Sequence, residues 1–301
     1  MKQQIKQEIK KLVEGEVLFS EPLKKYTSFQ IGGPAEVLVT PRDIADLQRL
    51  ISYLYRCDIP YQVLGNGTNL LISDQGLSKV VIKMTDLFNW FKFKSNQLRA
   101  GAGAKLPVIA KKAAERGLSG LEFAAGLPAS IGGAVIMNAG AGNLGSIGDL
   151  ITGVKVISST GELKQYRRNE LDFSYRQSNL QKDEQIIIEV ELELIPTDSK
   201  TVHNKMQKLF LKRKETQPLT MPNAGCIFKN PTDDSAGRLI DQAGGKGLKV
   251  GDAQVSTKHA NFIVNLGSAS AQDVLDLIGK VKKLVNEQCG VELETEIIYL
   301  S

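Results

Sequence analysis

Apolar positions along the chain follow two spacings, one typical of helices and one typical of strands. Ile5, Ile9 and Leu12 stand three or four residues apart near the N-terminus, which predicts a short amphipathic helix. The same spacing predicts further helices over residues 43–56, 106–116, 201–215 and 271–287. Apolar and β-branched runs predict strands over residues 35–39, 61–65, 79–84, 153–158, 186–194 and 293–300, with shorter runs at 226–229 and 262–265. Because helices and strands interleave throughout, the fold class is α/β or α+β.

The chain is long enough for more than one domain. At about 150 residues per domain, its 301 residues predict two domains. Pro196 and the polar residues after it interrupt the pattern, and we expect boundaries that give three regions, 1–84, 85–197 and 198–301.

Glycine is unevenly distributed. Fourteen of the 28 glycines lie between Gly65 and Gly148. Glycine is favoured where φ is positive or where backbone approaches a ligand closely. This segment therefore predicts a binding site built largely from backbone.

Charge and the metal-binding residue types narrow the classes of function. The net charge of +5 suits polyanionic small molecules as well as RNA, but aromatic residues make up only 6%, so we expect no nucleic-acid partner. Three cysteines and two histidines without paired spacing do not predict a metal site, and such sparse cysteine fits a reducing compartment. The sequence has no run of 18 apolar residues and no apolar signal core at its N-terminus. We therefore expect no membrane insertion and a cytoplasmic location.

Three glycine motifs are candidates for phosphate binding. GAGNLG (140–145) matches the G-x-G-x-x-G pattern, but the residues after it lack the helical period that a dinucleotide fingerprint requires. VLGNGTNLLISDQG (63–76) and AAGLPASIGGAVIMNAGAGN (124–143) can each present successive backbone N–H groups to a diphosphate. Either segment alone is also consistent with a pair of tight turns.

Eight motifs, in order along the chain, resemble one enzyme family. They are KYTSFQIGGPAE (25–36), VLGNGTNLLISDQG (63–76), GLEFAAGLPASIGGAVIMNAGAG (120–142), FSYRQS (173–178), NAGCIFKNP (223–231), GRLIDQAGGKG (237–247), VSTKHANFIVN (255–265) and LETEI (293–297). Over residues 20–300 the chain resembles the UDP-N-acetylenolpyruvoylglucosamine reductase (MurB) family. It is similar to the shorter, type II branch, which lacks an inserted substrate-capping loop.

The resemblance implies an α+β fold that holds FAD. Residues 1–84 and 85–197 would form two FAD-binding subdomains of the vanillyl-alcohol oxidase/p-cresol methylhydroxylase type, followed by an α/β substrate domain at 198–301. The implied FAD contacts are Gly65, Asn66, Gly67, Thr68 and Asn69 at the pyrophosphate, and Gly126, Pro128, Ser130, Gly133 and Ala134 along the flavin. Ala129 departs from the family pattern, where Gly is usual. Since the glycine-rich segment contains no His or Cys, FAD is expected to bind non-covalently.

The resemblance also implies a reaction. In the family, NADPH reduces FAD, and hydride then passes to the enolpyruvyl double bond of UDP-N-acetylglucosamine enolpyruvate, giving UDP-N-acetylmuramate for peptidoglycan synthesis. Negative charge builds beside the substrate carboxylate, and the adjacent carbon needs a proton. Cys226 matches the proton-donor position. A thiol with a pKa of about 8.5 is protonated at neutral pH and is a stronger acid than a hydroxyl. Considered without the family, a lone cysteine is by default structural, as we expect for Cys57 and Cys289.

Arg176 and Glu296 match the other catalytic positions of the family. An arginine can hold a carboxylate with two hydrogen bonds, and Glu296 would assist it. Without the family, the favoured interpretation is a surface arginine and the solvated face of a strand that carries Glu292, Glu294 and Glu296. The implied substrate-binding residues are Tyr175, Lys229, Asn230, Arg213 and Lys214, of which the last two also fit a solvated helix face. His259 is expected to be structural.

Two other functions stay open. An FAD-dependent oxidase of the same fold acting on an alcohol would share the glycine motifs, but residues 223–231 and 293–297 favour the reductase. A non-catalytic flavin- or nucleotide-binding module would not need Arg176, Cys226 and Glu296 together. We expect a monomer whose partners are the UDP-sugar and NADPH.

Overall fold

The computed structural model describes residues 1–181 and 185–301. In these ranges the helices are α1 (Gln3–Leu12), α2 (Ile44–Arg56), α3 (Leu106–Glu115), α4 (Ile131–Ile136), α5 (Ser199–Thr216), α6 (Ala236–Gln242) and α7 (Ala271–Cys289). The strands are β1 (Glu16–Pro22), β2 (Pro34–Thr40), β3 (Tyr61–Leu64), β4 (Leu70–Ile72), β5 (Leu77–Lys83), β6 (Phe91–Lys94), β7 (Gln97–Gly101), β8 (Leu118–Ser119), β9 (Ile151–Ile157), β10 (Leu163–Arg167), β11 (Phe173–Ser174), β12 (Gln177–Ser178), β13 (Ile186–Glu193), β14 (Ile195–Pro196), β15 (Lys249–Val250), β16 (Ala253–Val255), β17 (Ile263–Asn265) and β18 (Ile298–Leu300).

The chain forms two compact units that interleave along the sequence. Unit 1 comprises residues 1–19, 37–66 and 79–212, and unit 2 comprises residues 20–36, 67–78 and 213–301. The division into three consecutive domains, 1–84, 85–197 and 198–301, remains a prediction.

Unit 1 contains two apolar cores. One lies around α2, where Leu47, Leu50 and Leu54 are fully buried, and it extends to Val80 of β5, which runs parallel to β3. The helix begins where the Asp43 carboxylate accepts a hydrogen bond from the Asp46 amide at 2.8 Å, as its N-cap.

The second core of unit 1 lies under a five-stranded antiparallel sheet of order β10-β9-β13-β7-β6. The central strand β13 is buried along most of its length, and its buried Glu189 forms ion pairs with Arg99 and Lys155. Helices α3 and α4 contribute buried residues to this core.

Unit 2 packs α7 against an antiparallel sheet of order β15-β16-β17. Ser270 and Asp273 form a reciprocal capping box at the start of α7, and Gly290 ends the helix with φ 67°. The last strand, β18, pairs in parallel with β4.

The sequence expectations about short elements have mixed outcomes. The terminal segment is a strand only from Ile298, because Thr295 makes a single bridge with Phe228 and residues 293–297 form no continuous ladder. The prediction of three glutamates on one strand face is therefore wrong, and residues 226–229 form no strand either. Helices α4 and α6 were not anticipated, since six and seven residues are too short to show a period. A single 3₁₀ turn, Ile147–Asp149, and then strand β9 follow GAGNLG, so the motif lacks the α-helix that a dinucleotide fingerprint requires.

Candidate active site

Unit 1 brings two separate glycine motifs together. Gly65 and Asn66 follow the end of β3, and the Asn66 Nδ2 donates to the Pro128 carbonyl at 2.9 Å. A Cβ added at Gly65 would stand 2.6 Å from the Ser130 Oγ, so a side chain there would displace Ser130. The sequence expectation that residues 65–66 and 126–134 serve one site is consistent with these contacts.

Small residues keep backbone accessible around the start of α4. Ser130 caps the helix by accepting from the Gly133 amide at 3.3 Å, and Gly133 itself is exposed. Gly126 has φ 74°, which a side chain would strain. Ala129, the departure from the family pattern, lies outside the left-handed region, so alanine fits there without strain. Exposed amides and tight packing suit a cofactor that binds through phosphates, and these residues therefore fit FAD.

Glu122 supports the segment that leads into Gly126. Its carboxylate accepts hydrogen bonds from the Ser119 hydroxyl at 2.6 Å and the Gly120 amide at 2.7 Å, with the Lys205 Nζ at 3.4 Å. Burial alone would raise the pKa of Glu122, but these hydrogen bonds and Lys205 outweigh it and hold the pKa below its ordinary value. Glu122 therefore stays ionised at the start of the segment that leads into Gly126.

Arg176 lies in a two-residue turn between β11 and β12. Its backbone has φ 58°, and its Nη1 donates to the Gly140 carbonyl at 3.1 Å. The guanidinium carbon lies 5.2 Å from the centre of the exposed Tyr175 ring. A strained non-glycine residue is often found at a functional site. Unit 1 therefore brings Arg176 to the same glycine-rich segment that holds the candidate FAD contacts.

Unit 2 holds the second half of the GNGTN motif. Gly67 has φ 60°, and a Cβ there would overlap the Tyr26 carbonyl oxygen, so only glycine fits. The Asn69 Nδ2 donates to the Glu296 carbonyl at 3.2 Å, and the Ile298 amide donates to the Asn69 carbonyl at 3.0 Å. Residues 67–69 thus hold the backbone that carries Glu296. Thr68 is half-buried between them.

Cys226 and Glu296 lie on neighbouring segments of unit 2. The Glu296 amide donates to the carbonyl of Ile227, the residue after Cys226, at 2.8 Å. Asn261, which is buried, fixes the same segment through its side chain, accepting from the Phe228 amide at 2.9 Å and donating to the Phe228 carbonyl at 2.8 Å. Cys226 itself is half-buried.

The other predicted substrate residues also lie in unit 2. The Lys229 Nζ contacts the Glu294 carboxylate at 3.0 Å, and the Asn230 Oδ1 accepts from the Ala236 amide at the start of α6 at 3.1 Å. Arg213 and Lys214 lie in the last turn of α5. Asn230 therefore has a structural contact in addition to its expected role.

His259 is packed among apolar groups, as expected for a structural residue. Its ring meets Phe262 edge to face at 4.9 Å, and its Nδ1 accepts from the Asn261 amide at 3.2 Å. Burial, with a smaller contribution from Lys246, lowers the pKa of His259. In residues 1–181 and 185–301 no cluster of three His, Cys, Asp or Glu side chains could hold a metal ion.

Sequence reasoning missed three residues that support these segments, namely Glu122, Asn138 and Asn261. All three stand inside motifs that were singled out, but no spacing in the sequence indicates which side chain turns inward.

Comparisons with known proteins match two parts of the chain to two known domains. The sequence model of an FAD binding domain matches residues 35–166, and that of the UDP-N-acetylenolpyruvoylglucosamine reductase C-terminal domain matches residues 217–300. The UDP-N-acetylenolpyruvoylglucosamine reductase of Heliobacterium modesticaldum is 44% identical over 94% of this chain and 90% of its own length. The chain belongs to the UDP-N-acetylenolpyruvoylglucosamine reductase family.

A relative and a solved structure extend the similarity over almost the whole chain. The enzyme of the same name from Desulforamulus reducens is 42% identical over 96% of this chain and 95% of its own. The crystal structure of the reductase from Thermus caldophilus has a TM-score of 0.82 and 41% identity, covering 96% of this chain and 99% of that one.

Membership confirms several sequence expectations. The chain is an FAD-dependent oxidoreductase of peptidoglycan synthesis, and its fold class is the expected α+β arrangement of an FAD-binding part and a C-terminal part. No helix in the described ranges is both long and apolar enough to cross a bilayer.

Proposed function

We propose that this chain reduces UDP-N-acetylglucosamine enolpyruvate to UDP-N-acetylmuramate at the expense of NADPH. When bound, FAD would accept hydride from NADPH and supply it to the terminal carbon of the enolpyruvyl double bond. Two hydrogens are added to the substrate, one as hydride and one as a proton on the adjacent carbon, and NADPH becomes NADP⁺. The chain's own residues must bind the sugar nucleotide, stabilise the developing charge and deliver the proton.

Cys226 is the proposed proton donor. A thiol is mostly protonated at neutral pH, yet it releases its proton readily enough to act as a general acid. The hydrogen bond between the Glu296 amide and the Ile227 carbonyl, at 2.8 Å, supports this proposal, because it holds Cys226 beside a second predicted catalytic residue.

Arg176 and Glu296 are proposed to act on the substrate carboxylate. Charge that develops on the enolpyruvyl group is delocalised into that carboxylate, where a guanidinium can hold both oxygens. The strained backbone of Arg176 and its contact with Gly140 support a role fixed by the fold. Glu296 would assist Arg176 in polarising this carboxylate region.

The nucleotide part of the substrate would be bound by polar and basic residues. Asn230 and Lys229 follow Cys226 closely, and Arg213 and Lys214 offer cations for the diphosphate. Tyr175, which is exposed beside Arg176, would contact the sugar nucleotide.

The placement of Cys226 within the matched C-terminal domain, next to the segment of Glu296, carries the proposal. The test compares Cys226→Ala, Cys226→Ser and the control Cys289→Ala, each purified with FAD. NADPH should bleach the flavin absorbance of all three. Addition of the enolpyruvyl sugar should restore the absorbance of the control, whereas Cys226→Ala should form product about 10²- to 10⁴-fold more slowly.

The result for Cys226→Ser should lie between these two. Product formation by Cys226→Ala at the rate of the control would refute the proton-donor role. Re-oxidation by O₂ coupled to an alcohol, with no response to the sugar, would indicate the oxidase instead.

A further inference from the structure

Asn138 ends α4 in an unusual way. Its own amide donates to the Val135 carbonyl at 3.1 Å, and the Ala139 amide donates to the Ala134 carbonyl at 2.8 Å, which together form a Schellman motif. The residue at this position has φ 41°. Glycine is usual in such a position, and asparagine is one of the few other residues that tolerate it. Asparagine adds a side-chain amide at the same point.

That amide joins two other segments of unit 1. The Asn138 Oδ1 accepts from the Gly148 amide at 3.0 Å, and its Nδ2 donates to the Ser174 carbonyl at 2.8 Å. Only 8% of Asn138 is exposed, so its bond to Gly148 is buried and its bond to Ser174 is partly buried. A Cβ at Gly148 would stand 2.7 Å from the Phe173 ring and 2.8 Å from the Asn138 Oδ1, which shows how closely the segments approach.

Ser174 immediately precedes the turn that carries Arg176. The left-handed backbone of Arg176, with φ 58°, is unfavourable for a residue with a side chain and persists only where the surrounding structure holds it. Beyond Arg176, the Ser178 hydroxyl donates to the Ile136 carbonyl at 2.9 Å. The residues on both sides of the turn are therefore bonded to the C-terminal end of α4, and Asn138 makes the bond on the N-terminal side of the turn.

We propose that Asn138 is a positioning residue for Arg176. Its side chain fixes the backbone from which the guanidinium extends, so that the guanidinium meets the substrate carboxylate in one geometry. The inference rests on the proposed role of Arg176. A long side chain amplifies a small backbone displacement, and a shift of about 1 Å at a catalytic group can slow a reaction about 100-fold.

The substitution Asn138→Gly tests this, because glycine keeps the left-handed conformation and removes the side-chain amide. The matched control is Asn96→Gly, since the Asn96 Nδ2 likewise donates to a backbone carbonyl, that of Leu194, at 3.2 Å in unit 1. We expect Asn138→Gly to lower kcat about 10- to 100-fold while FAD affinity, measured by flavin fluorescence, stays unchanged. The control should keep kcat within about twofold.

A double-mutant cycle distinguishes positioning from a general structural effect. In an Arg176→Ala background, Asn138→Gly should have almost no further effect on kcat. A decrease of equal size in both backgrounds would overturn the proposal. Hydrogen exchange at residues 174–177 should also rise in Asn138→Gly and not in Asn96→Gly.

Different results would refute the proposed role of Arg176 and the proposed role of Asn138. If Arg176→Ala leaves kcat unchanged, the proposed role of Arg176 is wrong. Unchanged exchange at residues 174–177 in Asn138→Gly would instead overturn the claim that Asn138 fixes the turn.

Discussion

Two buried side chains support the two candidate site segments, and they do so with different chemistry. In unit 1 the Glu122 carboxylate, 4% exposed, holds the segment that leads into Gly126. In unit 2 the Asn261 amide, 2% exposed, holds the segment that carries Cys226. The difference follows from the hydrogen-bond donors and acceptors of each segment. The partners of Glu122 are all donors, whereas Phe228 presents both an N–H and a carbonyl to Asn261.

This comparison has a consequence for acid sensitivity. A carboxyl group presents acceptors at both oxygens only while it is ionised, because protonation turns one oxygen into a donor, whereas an amide keeps its donor and acceptor at every pH. We therefore expect the candidate flavin segment to respond to acid and the Cys226 segment to be indifferent to it.

The largest effect on stability is expected from Asn261→Ala. The substitution leaves a buried N–H and a buried carbonyl of Phe228 without these partners, at about 1–3 kcal/mol each, so we expect a loss of about 2–6 kcal/mol in the free energy of unfolding. Denaturant titration measures it. The control Gln254→Ala removes one long hydrogen bond to the Gly247 carbonyl, 3.3 Å, and should lose less than about 1 kcal/mol. Equal losses in the two variants would contradict the assigned role of Asn261.

A smaller effect is expected from acid on Glu122. Because the pKa of Glu122 is lowered in the folded state, its stabilisation is complete above the unfolded pKa of about 4.3 and is lost as the pH falls through the folded value. Hydrogen bonds to a charged group contribute about 1.5–3 kcal/mol, which sets the size of the loss. Below about pH 4, the amides at residues 119–126 should therefore lose protection from hydrogen exchange. They should lose more protection than the amides at residues 227–229.

Two substitutions sharpen the same measurement. Glu122→Gln should remove the acid response at residues 119–126, because the amide does not titrate. Asn261→Asp should give unit 2 an opposite response, since a carboxylate facing the Phe228 carbonyl has a raised pKa and stabilises only once protonated. Protection that falls with acid around residue 228 in Asn261→Asp would show that the hydrogen-bond assignment is wrong.

The smallest effect is expected from Lys205→Gln. Nearly half of the Lys205 side chain is exposed, so its ion pair with Glu122 is screened by water and should contribute less than about 1 kcal/mol. The control is Lys112→Gln, which removes an exposed pair with Glu115 at 2.7 Å. In thermal unfolding, the stability of both variants should be close to that of the parent protein. A loss above 2 kcal/mol for Lys205→Gln would mean that the cation, and not the hydrogen bonds, keeps Glu122 ionised.

Long periodic elements were predicted well, and short ones were not. Helices α2 and α7 begin and end within about two residues of their predicted bounds, because each has a buried apolar stripe and a clear N-cap. The predicted terminal strand was too long. Glutamates alternate with other residues at 292–296, which is typical of a strand, but the structure has a single bridge there, at Thr295. Helix α4 depends on Ser130 as its cap and tolerates two glycines that oppose helix formation, so its formation depends on packing.

Glycine density, the motifs and the family resemblance were readable along the chain, because each depends on which residues stand next to one another. They indicated an FAD enzyme and named Arg176, Cys226 and Glu296. The sequence did not show the partition into interleaved units, the hydrogen bond from Asn138 to Ser174 or the hydrogen bonds between Asn261 and Phe228. These contacts join residues more than 30 positions apart, and a buried polar side chain has no spacing of its own. Its partner is set by which backbone groups folding leaves without one.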